Sequence, residues 1–237
     1  MGKILAVCSG SGGVGKSTVA SCAALISAKR GLKTILLDAS GISRACDLML
    51  GMESVVVVDM MDVVAHQTML QNALYQVPGE DNLLFSCASL YEGIALSDLA
   101  SIILALRAMS DLLIIDLPTG QPRIGHELLD KDDALLLITR PDDVSIRALE
   151  RVLRGISDTV CAQFHLVINR MDPAAIKKKR QYTVQTVEML LDLPVSCALH
   201  EEESIHEMDG RGKRIPVRVP RLRSEVEKLL DQVRIEK

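Results

Sequence analysis

The sequence predicts an α/β fold, a doubly wound and mostly parallel sheet of seven or eight strands flanked by helices, in a single domain over residues 1–237. Three observations carry this expectation. Apolar bursts of strand length recur along the chain, helical patterns separate them, and a glycine-rich loop follows the first burst.

The bursts are Lys3–Cys8, Lys33–Asp38, Asn82–Cys87, Asp111–Asp116, Ala134–Thr139, Phe164–Asn169 and Val195–Leu199. Most are unbroken Ile/Leu/Val runs instead of alternating ones, the pattern of strands covered on both faces in a parallel sheet. Between them, Ser17–Lys29 is rich in Ala and Ser with helical apolar spacing, Ser97–Met109 opens on a capping serine, and Asp143–Ile156 lines up Ile146, Leu149, Val152 and Leu153 on one face. Val55–Val77, with Met60, Met61 and Met69, has helical spacing that predicts core packing; exposed methionines there would suit an adaptable protein interface. Open parallel sheets bind ligands beyond the carboxyl ends of their strands, so the loops after these bursts are where chemistry is expected.

Composition excludes several classes. The chain has 237 residues, 48% apolar and 24% charged, with a formal charge of −4, the balance of a folded soluble chain and not of a disordered one. With two Phe, three Tyr and no Trp, it lacks the aromatic surface on which single-stranded nucleic acid stacks. No apolar run reaches the roughly 18 residues of a membrane span, and the N-terminal run is too short for a secretion signal, so a cytoplasmic protein, at most peripheral to a membrane, is expected. Cys8, Cys22, Cys46, Cys87, Cys161 and Cys197 form no C-x-x-C pair and read as reduced core thiols.

After the first burst comes Gly10-Ser11-Gly12-Gly13-Val14-Gly15-Lys16-Ser17, which fits G-x-x-x-x-G-K-[ST] and opens into a helix. Glycines let backbone N–H groups turn inward around phosphate oxygens, and the helix N-terminus adds the positive end of its dipole. The expected cofactor-binding set is Gly12, Gly13, Val14, Gly15, Lys16, Ser17 and Thr18, with Lys16 on the β- and γ-phosphates and the Ser17 hydroxyl on Mg²⁺. The run Leu112-Leu113-Ile114-Ile115-Asp116 ends in a carboxylate suited to the Mg²⁺ shell, followed by Leu117-Pro118-Thr119-Gly120, a segment able to move when the γ-phosphate leaves.

With Ile35-Leu36-Leu37-Asp38, Cys46-Asp47-Leu48-Met49-Leu50-Gly51 and Val167-Ile168-Asn169-Arg170 added, the sequence resembles the MinD/ParA group of P-loop ATPases over most of its length, and MinD-like members most. The resemblance implies ATP as ligand, with Asn169 and Arg170 contacting the adenine edge, for which an amide offers donor and acceptor in one plane. It also implies an ATP-dependent homodimer and a protein partner. Lys16, Asp38 and Asp116 are the expected catalytic residues. Two positions depart from the family pattern. The early lysine, which reaches across the dimer to the partner's phosphates, is Ser11 here, and the second acidic residue after Asp38 is Ser40. Asp38 is then the sole carboxylate of its loop able to orient a water. Slow hydrolysis is the expectation unless Arg44 or Arg123 supplies the missing cation. Walker-type bacterial tyrosine kinases also lack that lysine, but they end in a tyrosine cluster, whereas Tyr75, Tyr91 and Tyr182 lie far from the C-terminus.

From Arg170 onward there are 14 basic and 12 acidic residues, against 13 and 19 before it. The run Lys177-Lys178-Lys179-Arg180 and the later Arg211, Lys213, Arg214, Arg218, Arg221 and Arg223 admit weak contact with anionic lipid or DNA phosphates, or a plain solvated surface. Arg221–Lys237 carries Leu222, Val226, Leu229, Leu230 and Val233 on one helical face, but with charges of both signs and no Phe or Trp it predicts a core-docked helix. Glu201-Glu202-Glu203 after the last burst falls on the adenine side of the sheet. The sequence thus suggests a nucleotide-dependent switch for self-association and partner positioning. The alternative is a degraded ATP-binding scaffold for a cell-division, pilus or flagellar assembly.

Overall fold

The computed structural model describes residues 1–41, 44–88, 96–120, 128–156, 162–205 and 219–235, with the backbone alone at 96–99. Ile42, Tyr91, Arg123, Cys161, Arg211, Lys213, Arg214, Arg218 and the capping side chain of Ser97 lie outside the described residues.

Eight strands form one sheet: β1 (Lys3–Ser9), β2 (Thr34–Asp38), β3 (Tyr75–Gln76), β4 (Leu83–Cys87), β5 (Leu112–Asp116), β6 (Ala134–Thr139), β7 (Gln163–Met171) and β8 (Val195–His200). Their order is β3-β4-β2-β5-β1-β6-β7-β8, with every pairing parallel except β3 on β4. All seven predicted strands are present. The eighth, β3, has one half-buried and one exposed residue whose pattern carries no strand signal, and it forms only by pairing Tyr75 with Phe85 and Gln76 with Leu84 at the sheet edge.

The unbroken apolar runs have a direct physical cause. Along β1, Leu5 and Val7 enter one core cluster while Ile4, Ala6 and Cys8 enter the other, so neither face of the strand meets water. Helix α1 (Lys16–Lys29) is buried nearly all round, which explains its many small residues: Ala20, Ala23, Ala24 and Ala28 let it lie close to the sheet on one side and to a second helix on the other. The remaining helices are α2 (Ala45–Leu50), α3 (Met60–Val64), α4 (Leu96–Met109), α5 (Asp143–Gly155), α6 (Pro173–Lys177), α7 (Val184–Leu191) and α8 (Pro220–Gln232), with a 3₁₀ turn at Leu70–Ala73.

The stretch Val55–Val77 departs from the helical reading. Asp59 caps α3 through the Met61 and Asp62 N–H groups, and Asp62 returns the bond to the Asp59 N–H, so a five-residue helix starts there instead of a long one. The preceding Val57 and Val58 lie outside any helix or strand and are pinned by the Tyr75 hydroxyl. Met60, Ala73 and Val77 join the core, whereas Val55, Val57 and Met69 are exposed.

Helix α8 docks as its spacing predicts. Leu222, Val226, Leu229, Leu230 and Val233 are all buried against α1 and β8. Arg30 pairs with Asp231 at 2.8 Å and Lys3 Nζ donates to the Val233 carbonyl at 2.6 Å, fixing the C-terminal end of the helix. The four residues Lys177–Arg180 are exposed. Among the described residues, no helix is long and apolar enough to cross a membrane.

Candidate functional site

Strand β1 ends at Ser9 and α1 begins at Lys16, so residues 10–15 form a loop at the carboxyl edge of the sheet. Gly13 and Gly15 hold φ of 71° and 102°, left-handed values that favour glycine. At Gly12 and Gly13 an added methyl group would meet nothing within 4 Å, so this face of the loop is open. Elsewhere the loop is tightly seated: a methyl on Gly10 would sit 2.1 Å from the Ala148 carbonyl carbon in α5, and one on Gly15 2.1 Å from Asn169 Nδ2. The first turn of α1 has no side-chain cap, which leaves its N–H groups to a ligand.

Two hydrogen bonds tie the loop to the segment after β5. Lys16, only 7% exposed, donates from Nζ to Thr119 Oγ1 at 2.9 Å, and Ser17 Oγ donates to Asp116 Oδ2 at 2.5 Å. Asp116 is wholly buried and its Oδ1 has no partner among the described residues. Burial, reinforced by the nearby Asp38 charge, raises its pKa from 3.8 to about 6, against the opposing Ser17 hydrogen bond and Lys16 charge. A cavity of about 470 Å³ opens over this arrangement, lined by Gly12, Gly13, Gly15, Lys16, Ser17 and Thr18 of the loop and by Ser40, Ala45, Met49, Thr119, Arg170 and Ile205 around it. An orphaned buried carboxylate oxygen beside a serine hydroxyl suits a Mg²⁺ shell, and open glycines with uncapped amides suit phosphate, so these residues fit a Mg²⁺-nucleotide.

The raised pKa makes a stability statement. The folded state binds more protons than the unfolded one between pH 3.8 and 6, so this group's contribution to stability falls as pH rises through that window and stays lost above it. At about 1.4 kcal/mol per unit, the cost at pH 7 is roughly 3 kcal/mol. Asp116→Asn is therefore expected to stabilise the ligand-free protein at pH 7 by about 1–3 kcal/mol in urea unfolding, with the gain shrinking toward pH 4. A variant no more stable than wild type at pH 7 would contradict this.

Asn169 lies under the loop, 7% exposed. Its Nδ2 donates to the Val14 carbonyl at 2.7 Å and its Oδ1 accepts from the Arg170 N–H at 2.9 Å, so the amide braces the loop while retaining a second donor hydrogen and a second lone pair. Arg170, at φ 59°, lines both the main cavity and a smaller recess formed with Gly15, Thr18, Asn169, His200, Glu201 and Glu202. The acidic residues after β8 thus stand on the same side as Asn169, as expected.

Asp38 is 2% exposed and fully engaged: Oδ1 accepts from the Ser40 N–H and hydroxyl at 3.0 and 2.5 Å, and Oδ2 from the Cys46 N–H at 3.0 Å. Ser40 is therefore more than a missing charge, because it caps the carboxylate. Arg44 is not among the cavity-lining residues; its guanidinium bonds Asp47 Oδ2 at 2.9 and 2.8 Å. Ser11, in the place of the family's lysine, has a buried hydroxyl with no partner. Sequence reasoning assigned no role to Thr119 or Cys46. Thr119 carried a signal in the Pro-Thr-Gly that follows Asp116; Cys46 carried none.

A parallel sheet whose first strand feeds a phosphate loop, with a carboxylate from the adjacent β5 behind it, defines a P-loop NTPase. The model of the ParA family, described as an NUBPL iron-transfer P-loop NTPase, matches residues 1–233, and the chain belongs to the MinD/ParA family. The septum site-determining protein MinD of Helicobacter pylori is 32% identical over 225 residues, covering 90% of this chain and 83% of that protein. The MinD of Thermotoga maritima is 31% identical, covering 92% and 81%. Among solved structures, MinD in a MinC:MinD cell division complex from Aquifex aeolicus matches with a TM-score of 0.87 at 22% identity over 99% of this chain and 96% of that one. MinD complexed with Mg-ADP from Pyrococcus horikoshii matches with a TM-score of 0.81 at 22% identity, over 98% and 96%. At such identities these structures speak for the fold alone.

Proposed function

We propose that this protein is a MinD-like, MgATP-dependent switch that acts in cell division, with the nucleotide controlling self-association and the docking of a protein partner. The carrying observation is the pair of bonds Lys16–Thr119 and Ser17–Asp116, which connect the phosphate loop to the segment after β5. In this reading the backbone of Gly12–Thr18 cradles the phosphates, Lys16 exchanges Thr119 for the β- and γ-phosphates, and Ser17 with Asp116 holds Mg²⁺, which offsets the phosphate charge when bound. Freed from Lys16, the Thr119 hydroxyl can turn to the γ-phosphate, so that the segment 117–120 registers whether that phosphate is present. Asn169 and Arg170 face the base. Cell division is supported by the MinD relatives, each a septum site-determining protein.

The cycle is slow in this reading, because no cation stands at position 11 and Asp38 is capped by Ser40. That same observation favours the second reading, an ATP-bound scaffold that dimerises without cycling. Mass measurement with ADP, ATP and a nonhydrolysable analogue, paired with phosphate release, separates them. A switch dimerises with ATP and returns to monomer as phosphate appears; a scaffold stays dimeric. A protein whose mass ignores all three nucleotides is neither.

A further inference from the structure

Behind the floor of the phosphate cavity, three donors of unlike chemistry meet. Asp38 ends β2, Asp116 ends β5, and Cys46 lies in the first turn of α2; one ligand atom from each falls within 4.8 Å of the others, and all three residues are buried. Register explains the carboxylate pair, since Asp38 and Asp116 are Cα partners on adjacent parallel strands. The Cys46 N–H is anchored on Asp38 Oδ2, and its Sγ stands 3.5 Å from Asp116 Oδ2. Two buried carboxylates side by side call for positive charge; Lys16 acts on Asp116 through its charge but gives its hydrogen bond to Thr119, and among the described residues Asp116 Oδ1 is shielded from water without a partner.

We propose that Asp38, Cys46 and Asp116 form a mixed oxygen and sulfur site for a thiophilic divalent ion of the Zn²⁺ or Co²⁺ class, with Cys46 as a ligand. Mg²⁺ selects oxygen ligands and keeps its waters, so a sulfur in its shell is wasted; a thiolate beside two carboxylates suits Zn²⁺ and Co²⁺. As the metal–sulfur bond forms, the S–H bond breaks and its proton passes to solvent; no electrons are transferred. The cavity is the way in. Ser40 and Ser17 line it, and each donates a hydroxyl bond to one of the two carboxylates, so an entering ion displaces those two bonds and leaves its remaining position to a cavity water. The site shares Asp116 with the MgATP reading and rests on that reading for its route of entry.

The test is anaerobic titration of the reduced, nucleotide-free full chain with Co²⁺ alone, followed by near-ultraviolet thiolate-to-cobalt absorption. The absence of Trp keeps the background low. The expected result is a band saturating at one ion per chain, lost in Cys46→Ser and Cys46→Ala, kept in Cys22→Ser, and in Asp116→Asn, which removes a direct ligand, formed with an affinity weakened beyond the roughly 100-fold that loss of an outer-shell partner causes. Circular dichroism verifies that each variant is folded. A band that survives in folded Cys46→Ser, or wild-type protein that gives no band with excess Co²⁺, overturns the proposal. MgATP binding measured on the same wild-type sample keeps the two readings apart: a Co²⁺ band without MgATP affinity removes the switch, and MgATP affinity without a band removes the mixed site.

Discussion

Lys16→Ala is expected to weaken ATP binding by about a hundredfold in isothermal titration with excess Mg²⁺. The lysine is nearly buried at the start of α1 and supplies charge where the loop otherwise offers only backbone amides. A charge-assisted hydrogen bond contributes about 1.5–3 kcal/mol, and Lys16 is placed to make such bonds to two phosphates. At 1.4 kcal/mol per decade, the loss of about 3 kcal/mol corresponds to that factor. Structure should survive the change, because the partner left behind, Thr119, sits at the cavity wall where water can replace the amine. Near-wild-type ATP affinity in the folded variant would remove the phosphate-loop assignment altogether.

Ser11→Lys is expected to raise phosphate release by about 10²- to 10³-fold over a wild type that turns over only slowly. A cation delivered to the transferring phosphoryl group supplies a factor of about 10³ or more, and the two arginines nearest the loop are already engaged: Arg44 is bound to Asp47, and Arg170, which lines the cavity beside Asn169, stands 3.9 Å from Glu201. The native Ser11 hydroxyl is buried and unpartnered, so its replacement sacrifices no hydrogen bond. Asp38 limits the gain, since the Ser40 hydroxyl still occupies Oδ1; adding Ser40→Ala to Ser11→Lys should raise the rate again, by a smaller factor. The outcome that sinks this account is a Ser11→Lys protein that dimerises with ATP yet releases phosphate no faster than wild type.

Local signals carried most of the fold and part of the site. The phosphate loop was legible because eight consecutive residues encode it, and the central strands because burial on both faces writes itself as unbroken Ile, Leu and Val. Strand β3 was not, since two residues at an edge derive their pairing from β4 and not from their own pattern. Val55–Val77 misled because Val and Met at helical spacing say nothing of the Asp59 cap that restarts the chain, or of the Tyr75 hydroxyl that takes the N–H groups of residues 57 and 58. At the site, the missing charges at Ser11 and Ser40 could be seen in advance, but the bonds from Ser40 to Asp38 could not. The Lys16–Thr119 bond spans 103 residues and the Cys46–Asp116 contact 70, and nothing short of the assembled sheet brings those pairs together.

The docking of α8 on α1 constrains how this protein could meet a lipid surface. Five buried aliphatic side chains, at about 1.5–3 kcal/mol each, hold that helix down with about 10 kcal/mol, an amount comparable to the whole stability of a domain this size. The helix they rest on is the one whose first turn, Lys16–Thr18, lines the main cavity. Peeling α8 away to insert its apolar face into a bilayer would strip one side of α1 and loosen the phosphate loop with it. Anchorage through this helix and retention of nucleotide are thus competing states of one chain, and a peripheral attachment that keeps ATP bound has to use another surface.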